Sequence, residues 1–72
     1  MRRYIHKETF RLVEGVDRDA AARRLAARDW RRIAQYYETR PMADYIRERC
    51  RFIESRRKLI ANELVDFPSN PQ

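Results

Sequence analysis

Residues 1–16 read MRRYIHKETFRLVEGV, and the fold class turns on them. Wound as a helix, they put Ile5, Thr9, Leu12 and Val16 on one face, with Gly15 where a left-handed C-terminal cap belongs. Extended as a strand, they point Phe10 and Leu12 to one side and Thr9, Arg11 and Val13 to the other. Their β-branched and aromatic content suits that second geometry. The two readings stand close together, and the helix is preferred. One glycine in the whole chain is too few for a turn-rich β fold. The expected class is therefore all-α: an antiparallel hairpin of two long helices, preceded by a short N-terminal helix or arm and dimerising into a bundle.

The hairpin occupies residues 17–65. Asp17 comes after the glycine as an N-cap, Asp19 adds negative charge in the first turn, and alanines dominate the start of the helix. At 100° per residue, Ala22, Leu25, Ala26, Trp30, Ile33, Tyr36 and Tyr37 share a face. Thr39-Arg40-Pro41 breaks this helix, because proline disfavours helical geometry in the residue before it, and Pro41 suits the first turn of the next. A short connection makes the two helices antiparallel neighbours. The second helix, 41–65, carries one apolar ridge of Met42, Ile46, Cys50, Ile53, Ile60 and Leu64. Tyr45, Phe52 and Leu59 form another. Asp66-Phe67-Pro68 ends it, and residues 66–72 are expected to be a flexible tail.

Size and composition bound what such a chain can be. Seventy-two residues make one small domain, and a fold of this size buries only about 60% of the surface its unfolded chain exposes. Disulfides, metals or oligomers usually support such folds. The single cysteine, Cys50, cannot bridge within the chain, and with the single histidine, His6, it offers too few soft ligands for a structural zinc. Self-association or a partner remains. No metal and no cofactor are expected. The unpaired thiol fits a reducing cytoplasm, no apolar run approaches the ~18 residues of a membrane span, and no signal peptide precedes the first charges. Seventeen basic residues, fifteen of them arginine, against eleven acidic give a net charge of +6. That balance favours an acidic or polyanionic partner.

Laying the helices antiparallel with a turn near residue 40 makes facing positions sum to about 79. Tyr37 then meets Met42, Ile33 meets Ile46, and Ala26 meets Ile53. One level is polar: Asp29 lies inside the apolar face of the first helix and Arg49 between the ridges of the second. A lone charge there would cost several kcal/mol, so an Asp29–Arg49 ion pair is expected, with Trp30 stacking on the guanidinium. The ridge of Tyr45, Phe52 and Leu59 exceeds what one partner helix can cover. It is expected to pack on the N-terminal segment, on a second copy, or on both. On the outer face of the first helix, Arg24, Arg28, Arg31 and Arg32 run in a polar arc that no acid interrupts, whereas the second helix mixes signs.

Chemistry is absent from the pattern. There is no Gly-rich phosphate loop, HExxH, CxxC or nucleophile–base set that spacing would unite, and Cys50 on a packing ridge reads as a small buried hydrophobe. The expectation is a non-enzymatic regulator or adaptor that binds a larger protein partner, with its arginines and its aromatic ridge as contact surfaces. The alternative is a basic nucleic-acid-binding regulator, DNA before RNA, gripping phosphates with the arginine stripe.

One form of that alternative rests on a resemblance. If residues 8–13 are a strand, the order strand-helix-helix in a dimer resembles the ribbon-helix-helix repressors. The segment Arg40-Pro41-Met42-Ala43-Asp44-Tyr45-Ile46-Arg47-Glu48 is similar to the start of their second helix. The resemblance implies that outward strand residues, here Thr9, Arg11 and Val13, would read the major groove. The chain departs from the family in a much longer first helix and in lacking a glycine between the helices.

Overall fold

A computed structural model describes residues 1–67. Residues 1–16 are a β-hairpin, so the expected all-α class gives way to an α+β fold. Strand β1 (Arg2–His6) pairs antiparallel with β2 (Leu12–Gly15), Tyr4 opposite Val13 and Ile5 opposite Leu12. The deciding pattern has period two: Tyr4, His6, Val13 and Gly15 turn inward and are buried, while Leu12 and Val16 of the helical reading are exposed. The turn closes through His6 N–H donating to the Arg11 carbonyl and Phe10 N–H donating to the His6 carbonyl, both at 2.9 Å. Phe10 takes the left-handed conformation there, with φ of 59°.

Gly15 does not cap a helix. It ends β2, and a Cβ on it would lie 2.5 Å from the backbone nitrogen of Ala21. Glycine lets the strand touch the helix backbone. Helix α1 (Arg18–Ile33) starts on the Asp17 carboxylate, which accepts a bond from Ala20 N–H at 2.8 Å. Ala21, Ala22, Leu25 and Ala26 of α1 form one buried core with Tyr4, Val13 and Leu64 of the sheet. A 3-10 turn (Ala34–Tyr37) extends α1, and after Pro41 helix α2 (Met42–Ala61) returns along it.

Most of 17–65 is thus a pair of neighbouring helices, but α2 stops at Ala61. Asn62 and Glu63 turn the chain, and β3 (Leu64–Asp66) pairs antiparallel with β1, placing His6 opposite Leu64 and Ile5 opposite Val65. The sheet order is β2-β1-β3. Leu64 sits four residues after Ile60 and so extends the helical pattern; pairing with a strand nearly sixty residues upstream, as in His6 with Leu64, leaves no local signal. Asp66 and Phe67, assigned to a flexible tail, are held in place, Phe67 N–H donating to the Arg3 carbonyl at 3.0 Å. The remainder of that tail, 68–72, lies outside the described residues.

Candidate partner-binding groove

Trp30 organises the hairpin. It is buried, donates its indole N–H to the Tyr45 hydroxyl at 3.1 Å, stacks on Tyr37 and is flanked by Tyr45 and Phe52, all three ring centroids within 5.2–5.5 Å. Two of the three residues expected on a dimer or partner ridge, Tyr45 and Phe52, are therefore half-buried against Trp30 within the chain. Leu59, the third, stays exposed. The level at which the helices face each other is close to the expected one, since Arg23 meets Glu54 at 3.4 Å and Asp19 meets Arg57 at 3.1 Å. The difference is a rotation of α2 about its own axis. It turns the Tyr45–Phe52 side inward and leaves Met42, Ile46 and Cys50 outside. Met42 is 70% and Ile46 52% exposed, and Cys50 is exposed rather than a buried hydrophobe.

That rotation opens a groove of about 600 Å³ along the opposite side of the hairpin from the aromatic cluster. Ala20 and Ala27 of α1 and Cys50 and Ile53 of α2 supply its apolar lining. Arg23, Arg24 and Arg49 border it, with Glu54 as its single acid. One helical turn and two turns toward the hairpin tip, the α2 stripe continues as Ile46 and Met42. At the other end, Arg23, Glu54, Arg57 and Asp19 form an ion-pair clasp between the helices. The Glu54 carboxyl is held below the ordinary carboxylate range, first by its hydrogen bonds from Arg57 and then, against some desolvation, by the charges of Arg57, Arg23 and Lys58. The Arg57 guanidinium is correspondingly raised by its bond to Glu54.

The arginine stripe divides. Among the described residues, Arg24, Arg28, Arg31 and Arg32 have no carboxylate within salt-bridge distance, and neither does Arg49. All are exposed. Arg28 turns aside to donate to the Leu12 carbonyl at 3.2 Å, so it covers the outer edge of β2. Arg24 lies 3.9 Å from the Met1 sulfur. Arg24 borders the groove, while Arg31 and Arg32 lie in the last turn of α1.

Asp29 is paired with Arg11 at 2.8 Å and Arg56 at 3.4 Å, in place of the expected Arg49. Its carboxylate is nearly buried, and Arg11 arrives from the β-hairpin, an element that the helical reading of 1–16 removes from consideration. The same contact, with Val13 buried in the core and Thr9 N–H bonded to the His6 ring, leaves no outward row of Thr9, Arg11 and Val13 to enter a DNA groove. The structural side of the ribbon-helix-helix resemblance fails there, and the order β-β-α-α-β departs from it too.

One cluster has no signal in the sequence. His6, Glu8 and Glu63 bring potential ligand atoms within 4.8 Å of one another. Their hydrogen bonds argue against a metal. The His6 Nδ1 accepts from the backbone N–H of Glu8 and of Thr9, each at 3.1 Å, so the ring proton sits on Nε2 and is donated to Glu63 at 2.7 Å. A metal on Nε2 would push the proton to Nδ1, where two N–H groups already point. The trio fastens the β1–β2 turn to the α2–β3 turn.

Compared with known proteins, the chain matches no family model, no curated protein and no solved structure. Among the described residues no helix is long and apolar enough to cross a membrane.

Proposed function

We propose that this chain is a small non-enzymatic regulator or adaptor that binds a larger protein by receiving an acidic amphipathic helix in the groove between α1 and α2. The observation that carries the reading is the groove's make-up. An apolar lining of Ala20, Ala27, Cys50 and Ile53 runs on into exposed Ile46 and Met42, and Arg24 and Arg49 beside it have no acidic partner among the described residues. Helix-in-groove recognition uses apolar anchors at helical spacing, and flanking carboxylates would meet the two free guanidinium groups. A free Cys50 in the groove accords with a reducing cytoplasm.

The free arginines also favour a second reading, a nucleic-acid phosphate backbone gripped by Arg24, Arg31 and Arg32. One experiment separates the two. A photo-cross-linker attached to Cys50 reports what enters the groove in extract of the native host, with and without nuclease. Adducts to acidic helical segments, lost in Arg24→Glu/Arg49→Glu and indifferent to nuclease, support the protein partner. Adducts that vanish with nuclease, and binding whose log–log salt slope is near −0.9 per phosphate contact, would replace it with the nucleic-acid reading.

A further inference from the structure

Strand β2 is an edge of the sheet, and α1 reaches over that edge with two arginines. Arg24 and Arg28, one helical turn apart, border a cavity of about 280 Å³ whose other walls include Arg3, Leu12, Glu14 and Phe67. Alternation turns Arg3, Leu12 and Glu14 away from the core, since Tyr4 and Val13 beside them are buried. Arg28 is fixed by a single bond to the Leu12 carbonyl at 3.2 Å, which leaves most of its five N–H donors unspent. Arg24 touches the Met1 sulfur at 3.9 Å. The backbone adds a further donor. The Arg3 carbonyl accepts from Phe67 N–H, so Arg3 faces β3, and Glu14 opposite it belongs to a non-hydrogen-bonded pair of β1 and β2. The Glu14 N–H therefore points out of the sheet at the same edge as the Leu12 carbonyl.

We propose that this cavity binds a free aryl phosphate monoester, its phosphate on Arg24, Arg28 and the Glu14 N–H and its ring on Leu12 and Phe67. Charge selects the head group. Three guanidinium groups stand against one carboxylate, that of Glu14, which lies 3.4 Å from Arg3, so two positive charges are left over. A phosphate monoester carries about −1.5 to −2 near neutral pH and balances them, whereas a carboxylate or a phosphodiester brings one charge. Its three oxygens also match the forked donors of two guanidinium groups.

Size selects the body. Ligand cavities start at roughly 300 Å³, so this one takes a single ring with its phosphate, not a helix like the one proposed for the groove. Leu12, 54% exposed, and half-buried Phe67 offer that ring an apolar wall. Arg24 borders the groove as well, but Arg28 borders the cavity and not the groove, so the two sites are separable by mutation.

Calorimetric titration of the full chain with phenyl phosphate, inorganic phosphate and phenyl sulfate tests this. Phenyl phosphate is expected to bind one to one, about tenfold more tightly than inorganic phosphate, which lacks the ring, and than phenyl sulfate, which keeps the ring with one charge. Arg28→Gln is expected to weaken it about tenfold with unchanged circular dichroism, and Arg31→Gln/Arg32→Gln, which removes more charge away from the cavity, less than about twofold. In the parent, phenyl phosphate is expected to shift the amide resonances of Leu12, Glu14 and Phe67. Equal affinity for the three anions, or equal losses in the two arginine variants, would reduce the effect to the general pull of a +6 chain and overturn the proposal. So would an absence of binding, or resonance shifts at Cys50 and Ile53 instead, which belong to the groove. A phosphotyrosine peptide that binds more tightly than phenyl phosphate overturns it in favour of a phosphate carried on a protein.

Discussion

Gly15→Ala has a sign that separates two roles for the same glycine. Its φ is not positive, so conformational freedom does not require glycine there. On backbone grounds alone, alanine should stabilise by about 0.4–1 kcal/mol through a less flexible unfolded chain. The packing says the reverse. The new Cβ would lie 2.5 Å from Ala21 N, 2.9 Å from Ala21 Cα and 3.0 Å from the Ala20 carbonyl carbon. All three are backbone atoms of the first turn of α1, and no rotamer change relieves them. Forcing a methyl into a packed contact costs about 1–3 kcal/mol, and more where the obstacle is rigid. The net expectation is a loss of about 1–2 kcal/mol from a fold whose total is on the order of 3–10 kcal/mol. For a domain this small that lowers Tm by roughly 5–15 °C. Thermal melting followed at the far-ultraviolet helix signal measures it. A Tm equal to or above the parent's would refute the close approach of β2 to α1 and, with it, the placement of the sheet on the helix.

The same contacts set other outcomes. Asp29→Ala leaves Arg11 facing a nearly buried site without its anion, and should destabilise by about 1–3 kcal/mol, discounted for the partial exposure of both arginines. Arg49→Ala should stay within about 0.5 kcal/mol of the parent in urea denaturation, because Arg49 has no acidic partner among the described residues. Phe10→Asn relieves the left-handed backbone and should raise stability by about 0.5–1 kcal/mol, read as a higher midpoint in urea denaturation. For Glu54 the folded carboxyl titrates below its ordinary 4.5. Its contribution is therefore present above about pH 4.5 and lost as pH falls through the lower folded value. Glu54→Gln should remove that part of the acid limb of a stability–pH curve and leave the neutral-pH slope alone.

The legible part of the sequence is local. Asp17 as a cap, the break before Pro41, and the Trp30 face of α1 all come from rules acting over a few residues. The level at which the two helices face each other is legible for the same reason, since a short turn leaves little freedom. The N-terminal segment is harder, because Ile5, Leu12 and Val16 mimic a helical stripe, while the side that is buried includes a histidine and a glycine. Neither side chain is hydrophobic, so neither marks an apolar face. His6 is held in the core by two backbone donors and Glu63, and Gly15 by the space it leaves. Strand β3 has no independent signature at all. The Asp29 partner is hidden as a consequence: with no hairpin beside α1, Arg11 is not a candidate and Arg49 is the nearest cation.

The candidate groove is hidden by a different physical cause, the size of side chains on the two flanks of one interface. Spacing ranks Met42, Ile46 and Cys50 equal to Tyr45 and Phe52 as a packing ridge. Volume does not. Trp30 needs large neighbours, and only the Tyr45–Phe52 side offers rings that can reach it, one of them with a hydroxyl for the indole N–H. Turning α2 to bring those rings inward closes that flank. The other flank is then left with the small side chains of Ala20, Ala27 and Cys50 beside the buried Ile53, and an open space persists along them. Arg24 and Arg49 stand beside that space without acids of their own among the described residues. On this reasoning the tryptophan cluster and the proposed binding surface are two consequences of one rotation, so enlarging the groove-side alanines should fill the docking site while leaving Trp30 where it is.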